Sequence, residues 1–455
     1  MHERLLDSGV STLQQGNVFI AVLKHGTPMI LSMFVQSLSN IVDIAILGHF
    51  TDLATTTGVA IGGQFVFLIT NILTGLSSGS GILISRFASQ DNIIKLKNTI
   101  FFMFLSLTFI GVVLGVVGFF SASFILNILR TPTSSIIYGR IFIELSMISL
   151  ASPILFNGVI CILRGFCDTK FSFLITLTSC ILNIGLDLLT VSVFKLSVYG
   201  VFIATIASQI LGVIVALIYL FKKRSSVFSN KVKFRLDSSI LKEFLKIGMP
   251  LGFLNLIASI SFIFLTFIVD IEFFDNLEIA LAHSIVTRYN GFAVLPTRAM
   301  AYTIATLVSQ NIAVNKHKRA KSFLICGCSL CFVFGILACV TTFLFPDFLI
   351  TLFGGNASIA NAGRAYMKII SMDYLLLPIG VCACGFLEGN RKAWISMLIN
   401  IVISLFVRIP IAYFTTVVFS FGLSGIGISI LLSSFFLAIF AWISIFFFQK
   451  KAKSN

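Results

Sequence analysis

Residues 98–122 read NTIFFMFLSLTFIGVVLGVVGFFSA, and this stretch by itself excludes a water-soluble fold. No charged side chain interrupts it. A helix rises about 1.5 Å per residue, so about 20 apolar residues cross the roughly 30 Å hydrocarbon core of a bilayer. A barrel strand needs only about ten residues and alternates apolar with polar, which this run does not. Where no water is present to satisfy backbone groups, the remaining solution is a spanning helix.

The rest of the chain keeps the same character. Of 455 residues, 57% are hydrophobic and 11% charged, with a mean hydropathy of +1.04, whereas soluble domains carry about 25% charged residues. Apolar runs bounded by polar breaks predict spans near 28–48, 57–84, 98–122, 136–163, 171–194 and 198–221. A second set follows near 247–269, 279–311, 323–345, 365–387, 394–418 and 423–448. The fold expected is an all-α membrane protein with twelve transmembrane helices. The opening residues, MHERLLDSGVSTLQQGN, lack the apolar core and small-residue cleavage site of a secretory signal, so the first span reads as a retained helix. Nine cysteines lie mostly inside apolar runs, as packing residues do. Cys326, Cys328 and Cys331 sit close together, but no His or carboxylate joins them in that run, so no metal site is expected there.

Lysine and arginine set the expected topology, because cytoplasmic loops retain positive charge. With the N-terminus inside, cytoplasmic segments hold 24 of these residues, eight of them between Lys222 and Lys246. The opposite side holds five: Arg130, Arg140, Lys195, Arg364 and Lys368. Both termini are therefore expected in the cytoplasm, with the chain multi-pass in a bacterial or archaeal plasma (inner) membrane. Insertion topology and anionic lipid headgroups account for the net charge of +15, and no nucleic-acid partner need be invoked.

The chain also repeats itself. His25-Gly26-Thr27-Pro28 opens the first span as Ile247-Gly248-Met249-Pro250 opens the seventh, a displacement of 222 for Gly and Pro. Ser89-Gln90 matches Ser309-Gln310, Pro153 matches Pro378, Gly165 matches Gly389, and Tyr199-Gly200-Val201 matches Ser424-Gly425-Ile426. Six spans per half is an even number, so both halves insert the same way up, as two pseudo-twofold six-helix lobes around a central cavity. The expected division is a cytoplasmic segment 1–24, a first lobe 25–221, a basic cytoplasmic linker 222–246, a second lobe 247–449 and a tail 450–455.

A charge at the bilayer centre costs at least about 2.5 kcal/mol on insertion scales, so acids within spans are functional candidates. Four qualify: Asp43, Glu144, Asp187 and Asp373. Asp43 lies about 15 residues beyond Pro28, and Asp187 about 16 beyond Phe171. Both spans run outward, so the two carboxylates reach matching depth. Asn183 lies one turn before Asp187 on the same face, and Thr205 in the sixth span returns to that depth. Two carboxylates, an amide and a hydroxyl suit a small hard cation such as Na+. Two carboxylates close together in low dielectric suit a proton equally.

Here the sequence resembles the multidrug and toxic compound extrusion (MATE) family, over nearly the whole chain. The resemblance rests on VDIAILG at 42–48, LRGFCDTK at 163–170 and ILNIGLDLL at 181–189, with KIGMP at 246–250, TLVSQN at 306–311 and VRIP at 407–410 in the second half. It implies a monomeric antiporter working by alternating access, in which an inward H+ or Na+ gradient drives export of small organic, often cationic, compounds. Within the family the chain is similar to the archaeal and DinF-like subgroup. Asp43, Asn183, Asp187 and Thr205 fall where that subgroup carries its N-lobe cation site, with Asn157 as a neighbouring polar residue. In that subgroup the first helix is thought to bend near the proline matching Pro28. Another subgroup carries acids in its seventh and tenth helices, where this chain has Ala258 and Leu377, so coupling is expected in the first lobe alone.

Glu144 and Asp373 are candidates for lining the substrate cavity and attracting cations, with pairing to Arg288 or Arg408 as the alternative. The chain contains no GxxxxGK[ST] phosphate loop, so ATP hydrolysis by that route is excluded, and no enzymatic activity or cofactor is expected. The competing functions are a lipid-linked saccharide flippase of the same superfamily, which would favour basic cavity residues, and a channel.

Overall fold

The structure is a computed structural model that describes residues 15–129, 131–224, 227, 237–274 and 276–454. Most of the expected N-terminal segment, most of the basic linker, Arg130 and the final residue lie outside these. Among the described residues every element is helical. The first unit's helices are α1 (Val18–Phe50), α2 (Leu53–Ser89), α3 (Ile93–Ile128), α4 (Thr133–Ile148), α5 (Ala151–Gly165), α6 (Thr169–Asp187) and α7 (Ser197–Lys223). There follow α8 (Ser238–Glu272), α9 (Leu277–Ala293), α10 (Leu295–Ala313), α11 (His317–Leu344), the short α12 (Pro346–Leu352), α13 (Ala357–Gly389), α14 (Ala393–Ile401), α15 (Ile409–Tyr413) and α16 (Leu423–Ser454).

Eleven helices are long and apolar enough to cross a membrane, and α4 with α5 makes a twelfth span bent by 53°. Every expected span is present. α3, which carries the 98–122 stretch, shows how such a helix packs: Gly111, Gly115 and Gly118 are buried, whereas Phe109, Phe120 and Phe124 are exposed. Small residues let helices approach, and bulky ones face the lipid.

The prolines within spans do not all mark a break in the helix. Pro153 lies in the first turn of α5, just after the α4–α5 bend, where a proline costs no hydrogen bond. Its counterpart Pro378 lies inside the continuous α13, and Pro28 and Pro250 lie inside α1 and α8. A proline removes one backbone hydrogen bond, but neighbouring packing keeps the helix continuous.

The repeat extends to backbone conformation. Left-handed φ is uncommon outside glycine, yet it occurs at Asp91 and Asn315, at Cys167 and Arg391, at Lys195 and Ser420, and at Ser197 and Gly422. These pairs are displaced by 224 or 225. The first two pairs end their helices with the same crossed bonds. Asn92 N donates to Phe87 O and Asp91 N to Ala88 O, as Lys316 N does to Asn311 O and Asn315 N to Ile312 O. This is the capping pattern that satisfies the last carbonyls of a helix. Likewise α6 runs into a π-helical turn, Leu188–Val193, and the π-helical Phe414–Val418 holds the equivalent place after α15.

Among the described residues the helices form two compact units, 27–252, and 253–454 with Gly16–Gly26. The chain thus changes unit within α1 and within α8, close to Pro28 and Pro250. Close packing explains the second change. A Cβ on Gly79 would lie 2.5 Å from Gly248 Cα, and one on Gly75 would lie 2.5 Å from Leu251 O, so the start of α8 is held tightly on α2. We predict that Gly79→Val lowers stability by about 1–3 kcal/mol through overpacking. Gly291→Ala, which meets nothing within 4 Å, should leave it unchanged or slightly raised. Thermal unfolding of purified protein in detergent checks both.

Candidate functional site

α1 and α6 face one another along a ladder of three rungs. Val35, Ser39 and Asp43 recur every four residues and so share one face of α1. Cys180, Asn183 and Asp187 share a face of α6 in the same way. At the first rung the Cys180 Sγ lies 3.7 Å from Val35 O. At the second, Ser39 Oγ donates to Asn183 Oδ1 at 2.7 Å. At the third, the carboxyl groups of Asp43 and Asp187 come within hydrogen-bonding reach of one another. Residue numbers rise together along both helices, so the helices are parallel and the acids sit at one depth.

Beyond the acids the site is closed by apolar packing. Ile46, Leu47, Val59, Val191, Val198 and Val201 form a buried cluster with Val42 and Tyr138 against it. Asp187 is fully buried and Asn183 is 5% exposed. Neither Asp187 oxygen, nor Asp43 Oδ1, has a hydrogen-bond donor, and the Asn183 amide nitrogen points near Asp187 without a bond of full geometry. Among the described residues no ion pair reaches either acid. Two ionised carboxylates here would have no counter-charge, and burying such a pair without one is strongly unfavourable. A proton or a small cation held between them would supply it.

Asp43, Asn183 and Asp187 are thus brought together as expected. Thr205 is half-buried and donates its hydroxyl to Val201 O at 2.8 Å in its own helix, which leaves its oxygen lone pairs free to accept. No hydrogen bond among the described residues joins Thr205 or Asn157 to the acids. Pro28 sits four turns before Asp43 in α1, with Ser32 Oγ donating to its carbonyl at 2.8 Å. Glu144 is tied to Arg140 at 2.6 Å, one turn away on α4. Asp373 is 2% exposed on α13, beside the Ser434 hydroxyl and within electrostatic reach of Arg408. Ser39 and Cys180 complete the ladder and were not singled out from the sequence. The four-residue spacing 35, 39, 43 was the available signal.

The second unit keeps the scaffold and omits the acids. Ser261, displaced by 222 from Ser39, donates to the carbonyl of Ser404, displaced by 224 from Cys180. Asp43 corresponds to Leu265, buried in the second unit's apolar core, and Asp187 to Ile411. No group of three or more His, Cys, Asp or Glu suited to a metal ion occurs among the described residues.

A family model described as MatE matches residues 28–189 and 250–414. The probable multidrug resistance protein YpnP of Bacillus subtilis is 23% identical over 424 residues, covering 93% of each chain. The multidrug export protein MepA of Staphylococcus saprophyticus is 21% identical over 445 residues, covering 98% of this chain and 97% of its own. Among solved structures, an outward-facing multidrug resistance MATE family transporter of the MOP superfamily superimposes with a TM-score of 0.90 at 19% identity, covering 99% of this chain and all of that one. A MATE protein in the straight conformation gives 0.88 at 18% identity, covering 99% of both chains.

The ladder makes its own prediction. In a double-mutant cycle of Ser39→Ala and Asn183→Ala, the coupling between the two positions should be on the order of 0.5–1.5 kcal/mol, as for one interhelical hydrogen bond. Reversible unfolding of the single and double variants in detergent measures it, and additive effects would remove the second rung.

Proposed function

The chain belongs to the MATE family of membrane transporters, and from that premise we propose that it exports small organic molecules by antiport against an H+ or Na+ gradient. It is a multi-pass transporter and not an enzyme. The observation that carries the coupling proposal is the facing Asp43–Asp187 pair, Asp187 fully buried and Asp43 half-buried, which has no ion-pair partner among the described residues.

The ion is the missing counter-charge. With it between the carboxylates, the third rung closes and α1 is drawn along α6. When it leaves, the two like charges repel and the rung opens. Pro28 gives α1 a point where one backbone hydrogen bond is already lacking, so bending there costs least. The second unit, with Leu265 and Ile411 in the equivalent places, has no such pair, and coupling belongs to the first unit. Ser39, Asn183 and Thr205 supply further oxygen atoms for a sodium ion, and Asn157 borders the site. Membrane insertion places both termini in the cytoplasm and the chain in the plasma membrane, because 24 of the assigned Lys and Arg then lie inside. The two facing acids lend no support to a lipid-linked saccharide flippase.

Asp43→Asn and Asp187→Asn are each expected to abolish gradient-driven export at equal expression and normal membrane insertion. Proteoliposomes under separately imposed proton and sodium gradients test this and identify the ion; full export by either variant would end the proposal. Pro28→Ala is expected to slow export more than it weakens substrate binding. Rates of uptake into inverted vesicles, set beside equilibrium binding, distinguish a bending point from a structural proline.

A further inference from the structure

Of the 32 Lys and Arg, 24 and five belong to segments on the two membrane sides, which leaves Arg288, Arg298 and Arg408 within spans. All three lie in the second unit. Two of them stand near the middle of their spans, Arg298 in Leu277–Ala313 and Arg408 in Ala393–Val418. An arginine at that depth is not stable against lipid, and side chains this deep face protein or water. Arg298 is exposed, so its face is one that water or a solute reaches. Arg408 is half-buried, its guanidinium 5.0 Å above the Phe262 ring and its Nε enclosed without an acceptor.

The two guanidinium groups are within electrostatic reach of each other. The titratable groups that face them are Asp373, near Arg408, and Tyr302, near Arg298. Neither arginine makes an ion pair within 4 Å among the described residues. Only Arg408 has a carboxylate within electrostatic reach, so of the two fixed positive charges at least one is left over. Of the acids that were candidates for attracting cations, Glu144 is tied to Arg140 and Asp373 lies within electrostatic reach of Arg408. Phe262 adds an aromatic wall next to the excess charge.

We propose that the second unit binds the anionic group of an exported molecule, a carboxylate or sulfonate on an aromatic body, between Arg298 and Arg408. This rests on the exporter reading above and names its substrate class as amphipathic organic anions and zwitterions. The planar guanidinium forks donate two parallel hydrogen bonds to such groups, and their faces stack on aromatic rings. The bound anion takes the surplus positive charge and supplies an acceptor to the enclosed Arg408 Nε. Asp373 competes for Arg408, which sets the affinity low enough for release.

The test is equilibrium binding of carboxyfluorescein and of ethidium, two aromatic dyes of opposite charge, to the full chain in phosphatidylcholine nanodiscs. Wild type should prefer carboxyfluorescein. Arg298→Gln should weaken carboxyfluorescein at least tenfold and shift preference toward ethidium. Asp373→Asn should strengthen carboxyfluorescein severalfold, a gain that misfolding does not produce. Preference for ethidium in wild type, or equal changes for both dyes in the variants, would overturn the inference. So would loss of carboxyfluorescein binding when phosphatidylglycerol replaces part of the lipid, since the arginines would then hold a lipid phosphate. Gradient-driven ethidium export by wild type reports on the exporter reading separately, so each can fail without the other.

Discussion

The structure depends on one constraint, the absence of water from the bilayer core. Backbone groups must bond within the chain, which yields helices alone. The helices end in tightly bonded turns, even where this forces Asp91, Cys167, Asn315 and Arg391 into left-handed backbone. The same constraint makes charge informative. Each ionic side chain within a span is held by a partner, faces a region that water reaches, or waits for a counter-charge, and the three cases here carry different roles.

The two units use one scaffold for two kinds of chemistry. Turns and π-helical ends are repeated, and in each unit a serine at the same place bonds across to another helix, Ser39 to Asn183 in the first and Ser261 to the Ser404 carbonyl in the second. Gly200 and Gly425 pack against the π-helical segments in both, so those segments are features of the fold rather than of the ion site. What differs is which charges the scaffold holds. The first unit places two acids together with no base, and the second places two arginines beside one acid. Were the first unit to hold the ion and the second the solute, as proposed, both would bind without competing for the same side chains.

How helices pack decides how firmly the scaffold holds these charges. Bulky residues such as Phe109 and Phe120 turn outward, and glycines turn inward, so backbones rather than side chains meet at the closest crossings. The opening of α8 is fixed on α2 in this way. α1 likewise begins with Gly16–Gly26 in the second unit, where Arg319 donates to Gly16 O at 2.6 Å. Both helices therefore change unit close to a proline, at points where the chain has least to lose by bending.

The sequence by itself determined the twelve spans, the parallel repeat and the equal depth of Asp43 and Asp187. Length, charge and position along a helix are fixed by composition and by the rise per residue. Only the tertiary structure decided which faces meet. Depth says nothing about azimuth, so Ser39 and Cys180 went unnoticed although they share the face of α1 or α6 that carries the acids. Glu144 and Asp373, equally legible as intramembrane acids, turned out to lie beside Arg140 and Arg408. Proline positions were legible too, but not their effect: Pro153 follows a bend, whereas Pro378 lies in an unbroken helix, because neighbouring side chains settle whether a missing hydrogen bond becomes a kink. A linear pattern records what a residue is and how deep it lies, while its partner is chosen by helices far away in sequence.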